Sequence, residues 1–268
     1  MNARSKNNYE DRITSKSSDT HPLADLREIE LNITDHCNRS CVFCPHGQGW
    51  KPHGRMSVMT ALNVSKQLTS AKWEGWIYLA GWGEPLLNPN FIRILDNLPS
   101  TCPVKLLTNG DVLYNNERLA EQVFLHQSIS LVQVSIYDGD EQLQTYKSAF
   151  NKYQKACDLE FRRLEERQPN FTNRAGSVDI GRKPRDGSCY YPFYRLFVDF
   201  DGEVILCCND WGRTKRYGKD LARAWERLDR IYDERRNFSP CNNCSVNGTL
   251  IGKDAFDLRS ASRNQLHQ

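Results

Sequence analysis

Three thiols stand within eight residues in the stretch CNRSCVFCPHG, at Cys37, Cys41 and Cys44. The spacing C-x-x-x-C-x-x-C gathers soft ligands on one short loop, and soft thiolates select zinc or iron–sulfur clusters. A closed tetrahedral site wants four protein ligands. Three leave two options: a fourth ligand elsewhere, or one coordination position open for chemistry.

Five more cysteines gather late in the 268-residue chain, at Cys189, Cys207, Cys208, Cys241 and Cys244, while Cys102 and Cys157 stand alone. The opening residues MNARSKNNYEDRITSKSSDT lack the apolar region of a signal peptide and read as a disordered tail over residues 1–22. A cytoplasmic location follows, where metal binding or catalysis, rather than disulfides, explains ten cysteines. The isolated pair read as small buried hydrophobes. His46 and His53 read as solvent-facing loop residues rather than ligands.

Lys+Arg number 36 against Asp+Glu 33, a net charge of +3 with no basic tract, so nucleic acid is not an expected partner. No apolar run approaches the roughly 18 residues of a membrane span. No membrane association is expected.

The thiols must be positioned by regular elements. Residues 27–33, REIELNI, alternate at period two and read as a strand that ends just before Cys37. A helix near 58–69 follows, then the strand WIYLA at 76–80, which runs into GWGEP at 81–85. The rhythm continues with a helix at 90–98, the strand VKLL and the turn TNG at 108–110. A helix at 116–126, a strand at 131–137, a helix at 140–156 and a strand at 159–164 complete it. Repeated strand–helix units predict an α/β fold, a parallel sheet forming a partial (β/α) barrel over residues 23–170, with chemistry on the loops after the strands. After Arg167 the pattern changes. Loops at 170–176 and 181–188 precede YRLFVDFDGEVILCC, a hairpin turning at Asp201–Gly202. A helix over 219–235, with Leu221, Trp225, Leu228 and Tyr232 inward, leads to the knuckle CNNC at 241–244. This reads as a small hairpin-plus-helix domain over 171–250, built around cysteines, with a tail or helix at 251–268. A zinc ribbon would satisfy the same four thiols.

The loop Cys37–Cys41–Cys44 after the first strand, with Phe43 before its last thiol and GWGEP after the second strand, resembles the radical S-adenosylmethionine (SAM) superfamily over residues 27–164. The resemblance implies a [4Fe-4S] cluster on Cys37, Cys41 and Cys44, whose fourth iron takes the amine and carboxylate of SAM so that one electron releases a 5′-deoxyadenosyl radical. Gly81, Trp82, Gly83 and Glu84 resemble the motif that meets the methionine amino group, with Trp82 in place of its usual small residue. Ser135 and Asp138 resemble the ribose and carboxylate contacts of SAM, and Asn109 a further SAM-side contact.

Residues 189–244 resemble the Twitch subdomain, the shortened form of SPASM, which implies a second [4Fe-4S] cluster on Cys189, Cys207, Cys241 and Cys244. Spacing from Gly202 favours Cys207 over Cys208. In Twitch-containing dehydrogenases of aminoglycoside biosynthesis the auxiliary cluster takes an electron from the substrate, and Arg174 matches a substrate-contacting arginine. The implied function is a radical SAM oxidoreductase acting on a sugar or aminocyclitol, with flavodoxin or ferredoxin as reductant. The alternatives are an epimerase, with Cys157 or Cys208 as hydrogen donor, a peptide-modifying maturase, and a non-catalytic metal module.

Overall fold

The computed structural model describes residues 21–164, 171–185, 189, 191–228 and 239–246. Its centre is one sheet of seven strands: β1 Glu28–Asn32, β2 Trp76–Ala80, β3 Val104–Thr108, β4 Ile129–Ile136, β5 Asp158–Arg163, β6 Arg195–Val198 and β7 Val204–Ile205. The spatial order is β5-β4-β3-β2-β1-β6-β7. Every neighbouring pair is parallel except β6 and β7. The sheet does not close on itself, and β5 and β7 are its edges.

Helices α1 (Val58–Ser70), α2 (Phe91–Asp96), α3 (Asp111–Asn115), α4 (Glu117–Phe124) and α5 (Gly139–Phe150) are the crossovers. Parallel strands require such connections, and apolar side chains on one face of each seat them on the sheet. Ile29, Leu31, Ile77, Leu79, Val132 and Val134 meet Val64, Leu68, Ile94, Val123 and Phe150 in a continuous core. Ser57 caps α1 by accepting from the Thr60 N–H at 3.0 Å, and Asn116 caps α4 from the Leu119 N–H at 3.0 Å. Cys102 and Cys157 are buried, as their isolation suggests.

Several expectations shift. The turn TNG leads directly into α3, because Asn109 Oδ1 accepts the Asp111 N–H at 3.0 Å and starts a helical turn that apolar periodicity could not show in five residues. The helix expected to 156 ends at Phe150 and continues as a 3₁₀ turn, Asn151–Tyr153. The late hairpin joins the main sheet: β6 runs parallel to β1, pairing Glu28 with Arg195 and Leu31 with Val198. The final helix is described as α6, Leu221–Leu228, with Leu221, Trp225 and Leu228 buried. Tyr232, the rest of that helix, residues 1–20 of the expected tail and residues 251–268 lie outside the described residues. Pro22, placed in the tail, opens a 3₁₀ turn, Pro22–Asp25, whose Leu23 sits in the core.

Candidate active site

The five successive parallel strands end on one edge of the sheet, so the loops after β1, β2, β3 and β4 share a rim. Cys37, Cys41 and Cys44 occupy the first of these loops, half-buried. The backbone folds tightly there, with the Cys44 N–H donating to the Cys41 carbonyl at 3.0 Å and the Gly47 N–H to the Cys44 carbonyl at 2.9 Å. A side chain at Gly47 would place its Cβ 2.2 Å from the Cys41 carbonyl oxygen, so only glycine fits against this turn. Burial pushes the Cys37 thiol up to about 11, and the nearby Glu84, Cys44 and Cys41 add to it. Thiols that oppose one another's ionisation are near neighbours, and a bound metal reverses that penalty by taking them as thiolates. Among the described residues no three His, Cys, Asp or Glu side chains converge as on a single ion. Three neighbouring thiols on one loop suit the corners of a cluster.

GWGEP forms the second loop. The Cβ of a residue at Gly81 would lie 2.4 Å from Asn32 Oδ1, and at Gly83 2.4 Å from the His36 carbonyl oxygen, so both glycines let this loop lie flat against the cysteine loop. Trp82, bulky where the motif is usually small, turns away from the rim. Its N–H donates to Asn32 Oδ1 at 2.9 Å, and its indole Nε1 donates to the Cys208 carbonyl at 2.7 Å. Its ring packs with Trp211 and Phe197, and against Trp50. His46 is not the solvent-facing residue expected: Nε2 lies 2.8 Å from the Trp82 carbonyl, and the ring stands edge-on to Trp50 and Trp211. Cys44 and Cys208 both pack against this aromatic wedge.

Glu84 is buried with both carboxylate oxygens engaged. Thr108 Oγ1 and the Leu86 N–H donate to one, and the Asn109 N–H donates to the other at 2.8 Å. Burial pushes its pKa up from 4.5 to about 7. The folded state therefore holds this proton more tightly than the unfolded chain, and the contribution of Glu84 to stability falls as pH rises from about 4.5 to about 7. In Glu84→Gln that part of the slope should vanish from denaturant titrations run across this range. The amide would also set an N–H against an N–H, a loss of about 1–3 kcal/mol.

Asn109, Ser135 and Asp138 reach the same rim with their side chains partly occupied. Asn109 Nδ2 donates to Asn38 Oδ1 at 2.7 Å, and Ser135 Oγ accepts from Arg162 at 2.8 Å. Asp138 is exposed and pairs with Arg39 at 2.9 Å. Arg39, between the first two cysteines, also forks onto both oxygens of Asp111, each at 2.7 Å, where Tyr146 Oη donates as well. Reading by sequence missed this latch, because Arg39 and Asp111 carry no motif and meet only when β1 and β3 are neighbours of β2.

Cys207 and Cys241, of the second group of cysteines, pack against the main core. Burial, then Cys208, Cys189 and Cys244, push the Cys207 thiol well up, so Cys207 shares a neighbourhood with two of its expected partners. Burial raises the Cys208 thiol to about 12, and Glu30, Arg195 and Arg174 are its charged neighbours. Asn173 binds the knuckle to the preceding turn, its N–H donating to Ser245 Oγ at 2.9 Å and its side chain to the Asn243 carbonyl at 2.6 Å. Arg174 follows, in a turn where Arg174, Ala175 and Gly176 have φ of +47°, +52° and +87°. Burial raises the Cys44 thiol, with the His46 backbone and then the Arg174 charge pulling against it. The guanidinium therefore stands near Cys44 of one group and Cys208 of the other.

Residues 31–160 match the model of the radical SAM superfamily. These residues form a radical SAM domain. SAM and one [4Fe-4S] cluster are the cofactors of that family. Over 197 residues the enzyme is 27% identical to the S-adenosyl-L-methionine-dependent 2-deoxy-scyllo-inosamine dehydrogenase of Niallia circulans, covering 71% of this chain and 76% of that one. It is 34% identical over 91 residues to a probable GTP 3′,8-cyclase of Methanopyrus kandleri, a match covering 33% of this chain and 28% of that one. The fold is that of BtrN, solved in complex with AdoMet and 2-DOIA: the TM-score is 0.69 at 23% identity, over 83% of this chain and 95% of that one. No helix among the described residues is long and apolar enough to cross a membrane.

Proposed function

We propose that this radical SAM enzyme oxidises a secondary alcohol of a small hydroxylated ring, a sugar or aminocyclitol, to a carbonyl. On this reading Cys37, Cys41 and Cys44 hold the SAM-binding cluster, and Cys189, Cys207, Cys241 and Cys244 hold a second [4Fe-4S] cluster in a Twitch region over 171–250. When bound, these groups would supply a carbon radical that removes one hydrogen atom and an acceptor for the electron left behind, while the hydroxyl proton is lost to water. Flavodoxin or ferredoxin would supply the initiating electron, in the cytoplasm.

The observation that carries the reading is Arg174. Its side chain has no hydrogen-bond acceptor among the described residues, yet its backbone is fixed in a left-handed turn tied to the CNNC knuckle, and its charge reaches Cys44 and Cys208. A guanidinium stays charged at any working pH, so it orients a substrate oxygen and stabilises negative charge there rather than removing a proton. Similarity to a dehydrogenase of an aminocyclitol supports the same class of substrate.

Epimerisation is the second reading, favoured by Cys208, whose thiol has Glu30, Arg195 and Arg174 as charged neighbours. Cys157 loses its claim as a hydrogen donor: it immediately precedes β5 and so lies at the edge opposite the rim. Anaerobic turnover of 2-deoxy-scyllo-inosamine with SAM separates the two. Oxidation gives a product two hydrogens lighter and one 5′-deoxyadenosine per product, with the substrate hydrogen in the deoxyadenosine. A product of unchanged composition that acquires one carbon-bound deuterium in deuterated water would refute it.

A further inference from the structure

The sheet has a second face. Strand register puts Glu30, Tyr78 and Lys105 in one row on the side away from the helices, with Glu28 and Arg195 in the row below. The alternation in REIELNI therefore does not separate core from solvent, for Glu28 and Glu30 are 1% and 5% exposed. Buried carboxylates need partners, and Arg195 supplies one. Its Nε donates to Glu28 Oε2 at 2.7 Å, one Nη donates to Glu30 Oε2 at 2.8 Å, and its guanidinium lies 4.4 Å from the Tyr78 ring centre.

Lys105 is treated differently. Its ammonium lies 5.6 Å from the Tyr78 ring centre and has no hydrogen-bond acceptor among the described residues. Burial pulls its pKa down, with Glu160 and Glu28 opposing. An ammonium has three donors and no acceptor capacity, and a partly desolvated one without an acceptor is costly unless a ligand supplies oxygen. Glu30 likewise has one oxygen that receives nothing from a described residue. Glu30 and Lys105 stand two strands apart, roughly 10 Å at the backbone, a span suited to one six-membered ring with its substituents. Their row lies two residues below Asn32 and Ala80, about 7 Å under the rim. Cys208 has both Glu30 and Arg174 among its charged neighbours, so this row and Arg174 approach the same thiol.

We propose that Lys105 and Glu30 are substrate-binding residues that grip a polyhydroxylated ring from beneath Arg174, Lys105 donating to one ring oxygen and Glu30 accepting from a hydroxyl or ammonium across the ring. This assignment rests on the proposed oxidation of a small ring alcohol and deepens it by naming what selects the ring. An apolar ligand would leave both groups unpaired.

The test uses the reconstituted enzyme with SAM, titrated calorimetrically with 2-deoxy-scyllo-inosamine and with scyllo-inositol, alongside KM and kcat. Lys105→Met should raise Kd and KM at least tenfold, and Lys105→Arg about threefold to tenfold, with kcat, iron content and substrate-free SAM cleavage held. A folded variant of either kind with KM within twofold of the wild type overturns the grip and leaves the oxidation reading standing. Loss of iron from both variants makes Lys105 a folding residue and overturns it too. A wild-type enzyme that binds neither ring refutes the oxidation reading, and the grip falls with it.

Discussion

With Cys37, Cys41 and Cys44 all replaced by Ala, the chain should reconstitute with about half of the wild type's roughly eight irons and cleave no SAM. Three neighbouring side chains that could replace them are committed elsewhere: Glu84 accepts three hydrogen bonds, Asp111 holds Arg39, and His46 is turned to the Trp82 carbonyl. Cys208 packs against the Trp82, Phe197 and Trp211 cluster, with Glu30 and Arg195 as charged neighbours. Cys189→Ala or Cys241→Ala should have the opposite profile, with reductive SAM cleavage still measurable and oxidised product lost. Iron and sulfide analysis with quantification of 5′-deoxyadenosine checks both. Zinc in place of iron in the wild-type chain would end the proposal of two clusters.

Why the three-thiol loop was legible and its supports were not is a matter of sequence distance. Cys37, Cys41 and Cys44 are chemically rare, lie together and follow a strand whose period-two pattern is plain, so type, spacing and place agree. The strand–helix rhythm was equally local, since each crossover carries its own apolar stripe. The buried polar face was hidden because alternation in REIELNI has the same form whether the polar side chains meet water or, as here, Arg195, which is 167 residues from Glu28 and 165 from Glu30. The hairpin looked separable because two short antiparallel strands with a Gly turn carry no mark of a third strand beside them. Only the pairing of β6 with β1 shows that the second group of cysteines is delivered by the same sheet as the first. Trp82 misled in another way: a large residue in a loop usually read as small packs between Phe197 and Trp211 and donates to the Cys208 carbonyl, tying the second loop to the segment after the hairpin.

The wedge depends on one cation, and removing it should be the most destructive single substitution outside the cysteines. Arg213 is buried between Asp35 and Asp199, at 2.9 and 2.6 Å, with its guanidinium 4.5 Å from the Trp82 ring centre. Asp35 in turn accepts the His53 and Gly54 N–H groups at 2.9 Å, and Asp199 accepts from Asn32 Nδ2 at 2.8 Å. Asn32 then holds the Trp82 N–H, so one guanidinium fixes the cysteine loop, the GWGEP loop and the hairpin turn together. Arg213→Met keeps the stem over Trp82 but leaves two buried carboxylates without a counter-charge, which costs about 3–5 kcal/mol. For a chain of this size that should lower Tm by about 10 °C, read by calorimetry before and after cluster reconstitution. Arg213→Lys should fall between, because a point charge on a flexible stem cannot fork onto two carboxylates. Adding Asp199→Asn to Arg213→Met should recover part of the loss, since one unpaired charge is then gone and the amide nitrogen can take the place of Oδ2, which among the described residues accepted only from Arg213. A single variant as stable as the wild type would mean that Asp35 and Asp199 are satisfied by their backbone and Asn32 donors alone, and the wedge would then rest on ring packing instead of charge.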